Sequence, residues 1–132
     1  MKLFLIITFA LITVAVNKEI VPHVVEFWRQ LSQKYKNECV AFANADPLQV
    51  DVILTNVTVI KERSIKCYLS CIYKKLRFLK PDGKYDEEEI VVRAHYVSLP
   101  ISRKCAAAAA NETDLCEIAY GYAHCLIDNL MN

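Results

Sequence analysis

Six cysteines, at positions 39, 67, 71, 105, 116 and 125, are the residues whose spacing most invites chemistry. Cys67 and Cys71 stand four apart in "IKCYLSCIYKK", residues 65 to 75, one turn of a helix, so both project from the same side of it. Thiols so placed can hold zinc, cycle as a redox pair, or bond to two different partners. Structural zinc uses paired C-x-x-C or H-x-x-x-H spacing and thioredoxin-like chemistry uses C-x-x-C beside a βαβ pattern; the chain has neither, so no metal site is expected. A bond between Cys67 and Cys71 would be strained, because side chains one turn apart run roughly parallel. Each therefore needs a distant partner. Cys116 and Cys125 lie nine apart, which at about 100° per residue leaves them on opposite sides of a helix, so they too reach different neighbours. The simplest arrangement ties their helix to that of Cys67 and Cys71 on one side and to the segment of Cys105 on the other. Cys39 then takes whichever central cysteine remains, and the residues alone leave several connectivities open.

Other reactive side chains make a weak case for catalysis. There is no G-x-S-x-G, no H-E-x-x-H and no glycine-rich phosphate loop, and only two glycines, Gly83 and Gly121, to build one. His23-Val24-Val25-Glu26 comes nearest to a metal motif but has no third ligand in a credible place, and Glu87 to Glu89 suit a helix start better than a carboxylate pair. The expectation is a protein that is not an enzyme and carries no cofactor.

The compartment follows from the first residues. MKLFLIITFALITVAV has one lysine and then 14 residues, Leu3 to Val16, that are apolar apart from two threonines. A span needs about 20. Residues 1–15 read as a secretory signal peptide and residues 16–132 as one domain, secreted and extracellular and not embedded in a membrane. Without the leader the chain has 15 basic and 15 acidic side chains, which gives no electrostatic case for nucleic acid. An even number of cysteines in a secreted chain points to three disulfides.

The elements that must position these sulfurs are helical. Ile20, Val24, Phe27, Trp28, Leu31, Tyr35, Cys39 and Phe42 recur at steps of three and four, predicting a long first helix that ends near Asn44. Asp46-Pro47-Leu48-Gln49 reads as a capped start of a short second helix to about Leu54. After the β-branched connector TNVTVI, a third helix is expected from Lys61 to Leu79, ended by the turn signature Pro81-Asp82-Gly83. Ile65, Tyr68, Leu69, Ile72, Leu76 and Leu79 form one face of it, while Cys67 lies about 200° from Ile65, so this helix is expected at the centre. A fourth helix should run from the acidic DEEEI at 86 to 90 up to Pro100, a fifth from Ile101 to Ala110 through a run of alanines read as close helix packing, and a last one from about Asn111–Asp114 to Leu130. The fold class is all-α, a compact bundle of about six helices.

The spacing C-x27-C-x3-C-x33-C-x10-C-x8-C, with "KCYLSCIYKK", "PDGKYDEEEI" and "DLCEIAYGYAHC" around it, resembles the insect odorant-binding proteins, which include the pheromone-binding proteins. The resemblance spans residues 18 to about 128. It implies that Cys39 pairs with Cys71, Cys67 with Cys116, and Cys105 with Cys125. It also implies an apolar cavity and a carrier taking odorants or pheromone components through aqueous lymph to a membrane odorant receptor. Each disulfide adds about 2 to 4 kcal/mol, comparable in total with a small domain's ~5 to 15 kcal/mol, so the staples offset contacts that a hollow interior forgoes.

For such a carrier the small hydrophobic ligand should meet Phe27 and Leu31 of the first helix, Ile90, Ala94 and Val97 of the fourth, and Ile118 and Tyr122 of the last. Burying ~300 Å² of ligand at ~25 cal/mol per Å² yields about 7 kcal/mol before association costs, hence micromolar affinity. Tyr68, Tyr73, Tyr120 or Tyr122 could offer a hydroxyl to an alcohol, aldehyde or ester oxygen. His23, His95 and His124 are the groups able to titrate between about pH 5 and 8. Only LIDNLMN follows Cys125, which argues against the long C-terminal tail that closes the pocket in some family members. Asn56 and Asn111 head N-x-T glycosylation sequons. A secreted binder of the same fold serving taste, salivary or reproductive ligands fits the residues equally, and they leave open the choice between a monomer and a weak homodimer.

Overall fold

A computed structural model describes residues 22–53 and 60–130. The leader expected over residues 1–15 and the sequon at Asn56 lie outside them. Six helices follow in order: α1 (Pro22–Ala43), α2 (Pro47–Val52), α3 (Arg63–Lys75), α4 (Glu87–Arg93), α5 (Leu99–Ala107) and α6 (Leu115–Leu130). Among the described residues there is no β-strand, only a single bridge between Leu79 and Tyr85, and no helix is long and apolar enough to cross a membrane.

Local chemistry sets the helix ends. The Asp46 carboxylate accepts from the Leu48 amide at 2.9 Å and Pro47 opens α2; Asp86 accepts from the Glu89 amide at 3.1 Å; the Ser98 hydroxyl accepts from Ile101 at 3.4 Å; and Asp114 accepts from the amides of Cys116 and Glu117 at 2.8 and 3.3 Å. Each satisfies amides that the first turn leaves unpaired. α1 and α3 end by one shared device. Asn44 (φ 51°) and Arg77 (φ 63°) adopt left-handed backbone, and the amides of Ala45 and Phe78 reach back to the carbonyls of Val40 and Tyr73 at 3.1 and 2.8 Å.

Three expected boundaries are corrected. The third helix stops at Lys75 rather than Leu79, because Arg77 turns the chain so that Phe78 and Leu79 fold back under it and the Arg93 guanidinium donates to the Leu76 carbonyl at 2.9 Å. The fourth stops at Arg93, not Pro100: Ala94 leaves helical geometry (ψ 77°), and Ser98 starts α5 two residues before the proline. The fifth ends at Ala107 instead of Ala110. Ala109 is buried where the Gly121 backbone of α6 comes so close that a Cβ there would stand 3.3 Å from the Ala109 methyl. Close packing thus overrides alanine's helix propensity.

α3 lies at the centre, packed on α1 and α6, with Ile65, Leu69, Ile72 and Leu76 at most 1% exposed. Cys39–Cys71 joins it to α1, Cys67–Cys116 joins it to α6, and Cys105–Cys125 joins α5 to α6, with Cα separations of 5.5, 4.5 and 5.3 Å. The pairing is the one that the resemblance to the odorant-binding proteins implied. Beside Cys67–Cys116, Arg63 pairs with Asp114 at 2.7 Å and Lys66 with Glu117 at 2.9 Å, so covalent and ionic links coincide on one α3–α6 seam.

Candidate ligand cavity

The apolar faces of four helices do not quite meet, and the gap between them is a cavity. About 50 Å³ of it is open to the centre of a water-sized sphere, and the unfilled space, mouth included, comes to about 580 Å³. One water needs only ~10 to 15 Å³ on the first measure, so the space holds a guest larger than that. Val24 and Trp28 of α1 and Leu69 and Tyr73 of α3 make one side. Ile90 of α4, with Ala94, Tyr96 and Val97 just after it, makes another. α6 supplies Tyr122, Ala123, Leu126, Ile127 and Leu130, and Ile53 and Phe78 close the gaps. Among the described residues no charged side chain lines the space.

Of the seven residues expected to meet a ligand, Ile90, Ala94, Val97 and Tyr122 line this cavity and three lie elsewhere. Phe27 is half-buried, with its ring edge-on to His95 at 5.6 Å and to Tyr96 at 5.7 Å. Leu31 is half-buried against the core. Ile118 is buried beneath the turn at Gly83, which a Cβ would bring to 3.0 Å from the Ile118 Cδ1, and its carbonyl accepts the Tyr85 hydroxyl at 2.8 Å. Trp28 and Tyr96 line the cavity beyond the expected set; Trp28 lies on the same stripe as Phe27, one residue's rotation of α1 separates the two, and periodicity does not resolve that.

The polar features of the wall are tyrosine hydroxyls. Tyr122 shares a 2.9 Å hydrogen bond with Ser102, and burial pushes its hydroxyl up to about 12 against the opposing effect of that bond. Tyr85, which is not itself a lining residue, stacks on Tyr122 at 4.2 Å, and burial raises it too. Tyr73 touches the rings of Trp28, Phe78, Tyr85 and Tyr122, and burial, then the neighbouring tyrosines, hold it well above 10.0. Every one of these phenols is therefore neutral and able to donate at physiological pH.

The remaining candidates lie away from the cavity. Tyr120 sits under the Lys66 ammonium at 4.7 Å, and Tyr68 lines a separate polar cleft between α1 and α2. His23 and His95 are exposed, and His124 is 3.3 Å from Asp128 on the solvent side of α6. Asn111 is exposed in the turn after α5. Among the described residues no group of His, Cys, Asp and Glu could hold a metal ion.

A family model described as the PBP/GOBP family matches residues 23–129. No curated protein matches the chain.

Proposed function

The chain belongs to the PBP/GOBP family, and from that premise we propose that it is a secreted carrier of small hydrophobic ligands. It takes odorant or pheromone components into the cavity between α1, α3, α4 and α6 and moves them through aqueous lymph toward membrane receptors. The observation that carries this reading is the space that apolar and aromatic described residues line from four helices, in a bundle braced by three disulfides. Apolar guests leave water for such a space at ~25 cal/mol per Å² buried, with no chemistry required of the wall. Ile90, Ala94, Val97 and Tyr122 are the contact residues this reading assigns.

Native mass spectrometry of the oxidised protein tests it. The expected result is a retained small apolar molecule, or uptake of one when the protein is offered an apolar fluorophore. A protein that carries nothing and takes up nothing would overturn the reading.

A further inference from the structure

We propose that the cavity selects a compact aromatic molecule carrying one oxygen, such as an aryl ketone, aryl aldehyde or aryl ether, anchored by the Tyr73 hydroxyl. This rests on the cavity being the ligand site and adds the chemistry of the guest.

Elimination among the hydroxyls comes first. Tyr122 is engaged by Ser102 and Tyr85 by the Ile118 carbonyl. Tyr73 is 4% exposed and lines the cavity, and its hydroxyl makes no hydrogen bond to any described residue. Among the described residues every sealed side-chain nitrogen or oxygen has a partner, so the unpartnered Tyr73 oxygen keeps some accessible surface, and the space that Tyr73 lines is this cavity. Only what little water enters the cavity can partner this phenol, and a guest oxygen that accepts its proton replaces that water with a fixed hydrogen bond. Tyr96, also on the wall, makes no such bond either and burial raises its phenol too, but more of the residue is exposed than the 4% of Tyr73, so water competes for it more readily.

The rings supply the second argument. Trp28 meets Tyr73 at 5.8 Å and 76°, and Tyr73 meets Tyr122 at 5.8 Å and 84°. Positive edges thus face negative faces around the space, and a flat guest ring continues the pattern where a saturated one does not. Size is the third. The cavity of roughly 50 Å³ is small, and its α1, α3 and α6 walls are held together by Cys39–Cys71 and Cys67–Cys116, so a compact guest fits it with less displacement of the remaining α4 wall than a long unbranched chain does.

The test displaces N-phenylnaphthylamine from the oxidised full chain with four competitors of equal carbon count: acetophenone, cyclohexyl methyl ketone, methyl hexyl ketone and ethylbenzene. Acetophenone should bind about three- to tenfold tighter than either saturated ketone, and about fivefold tighter than ethylbenzene. Tyr73→Phe should erase the gap between acetophenone and ethylbenzene, while Tyr85→Phe, whose hydroxyl is already bonded, keeps it. The ranking on the unaltered chain stands independently of either variant. Methyl hexyl ketone binding as tightly as acetophenone, or a gap that survives Tyr73→Phe, overturns the proposal. If the fluorophore binds and all four compete equally, the carrier reading stands and this inference falls; if the fluorophore does not bind, both fall.

Discussion

Tyr122 and Ser102 meet hydroxyl to hydroxyl at 2.9 Å, with Ser102 at 0% exposure, and so join α6 to α5 in parallel with Cys105–Cys125. Tyr122 thereby serves two ends: it lines the cavity, and its oxygen ties the cavity wall to α5.

Ser102→Ala should strand the Tyr122 hydroxyl and lower stability by about 1 to 3 kcal/mol in urea unfolding with disulfides intact. Adding Tyr122→Phe should cost less than Phe costs alone, since the partner is already gone. Additivity of the two changes within a few tenths of a kcal/mol would show that the hydroxyls are uncoupled.

The disulfides should differ in worth through the loops they close. Their sequence separations are 49 for Cys67–Cys116, 32 for Cys39–Cys71 and 20 for Cys105–Cys125. On chain entropy, paired alanine replacement should cost most at Cys67–Cys116 and least at Cys105–Cys125, a spread of about 0.8 kcal/mol. Denaturant midpoints of the three double variants check the order, and a reversed order would show that native packing outweighs loop closure.

Alkaline titration should expose the buried phenols. Burial raises Tyr68 and Tyr122 to about 12 and holds Tyr73, Tyr85 and Tyr96 above the ordinary 10.0. A raised folded value favours the neutral phenol in the fold. The associated stability is fully present below about pH 10 and is lost as pH rises from there through the folded values. Ultraviolet absorbance should show these five rings un-ionised at about pH 10 in the folded chain and ionising there once denaturant is added. Full phenolate absorbance at about pH 10 without unfolding would contradict the buried cluster.

At the acid end Asp114 should matter. The hydrogen bond from Arg63, then the amides of Cys116 and Glu117, hold its carboxyl below 3.8. The charged form is favoured in the fold, so the contribution is present above the ordinary carboxylate value and fades as pH falls through the folded one. Asp114→Asn should therefore flatten the loss of stability below about pH 4. Superimposable acid profiles for the two proteins would show that the cap adds nothing at the start of α6.

The sequence carried the helices and the centrality of α3 because apolar spacing and capping residues are local. It hid the breaks after Lys75 and Arg93 for a definite reason. Leu76 and Leu79, like Ala94 and Val97, keep helix-like spacing while the backbone has already turned, so the apolar stripe runs on through the break. Ser98 two residues before Pro100 was the legible sign of a new start. The wall of the cavity was harder to read still. Ile118 and Ile90 are both buried aliphatics on amphipathic helices, and only the Gly83 turn beneath Ile118 makes it filler while Ile90 borders empty space.

Each helix that lines the cavity carries a half-cystine except α4: Cys39 is on α1, Cys67 and Cys71 on α3, Cys116 and Cys125 on α6. α4 is held by weaker ties, the Arg93 donation to Leu76 and the Glu87–Arg103 pair at 3.1 Å. Displacing α4 would strain no covalent link, as displacing α1, α3 or α6 would, so α4 is the expected door of an otherwise riveted box. Amide hydrogens of α4 should accordingly exchange faster than those of α3 and slow most when the box is occupied; protection in α4 equal to that in α3 would mean the door is elsewhere.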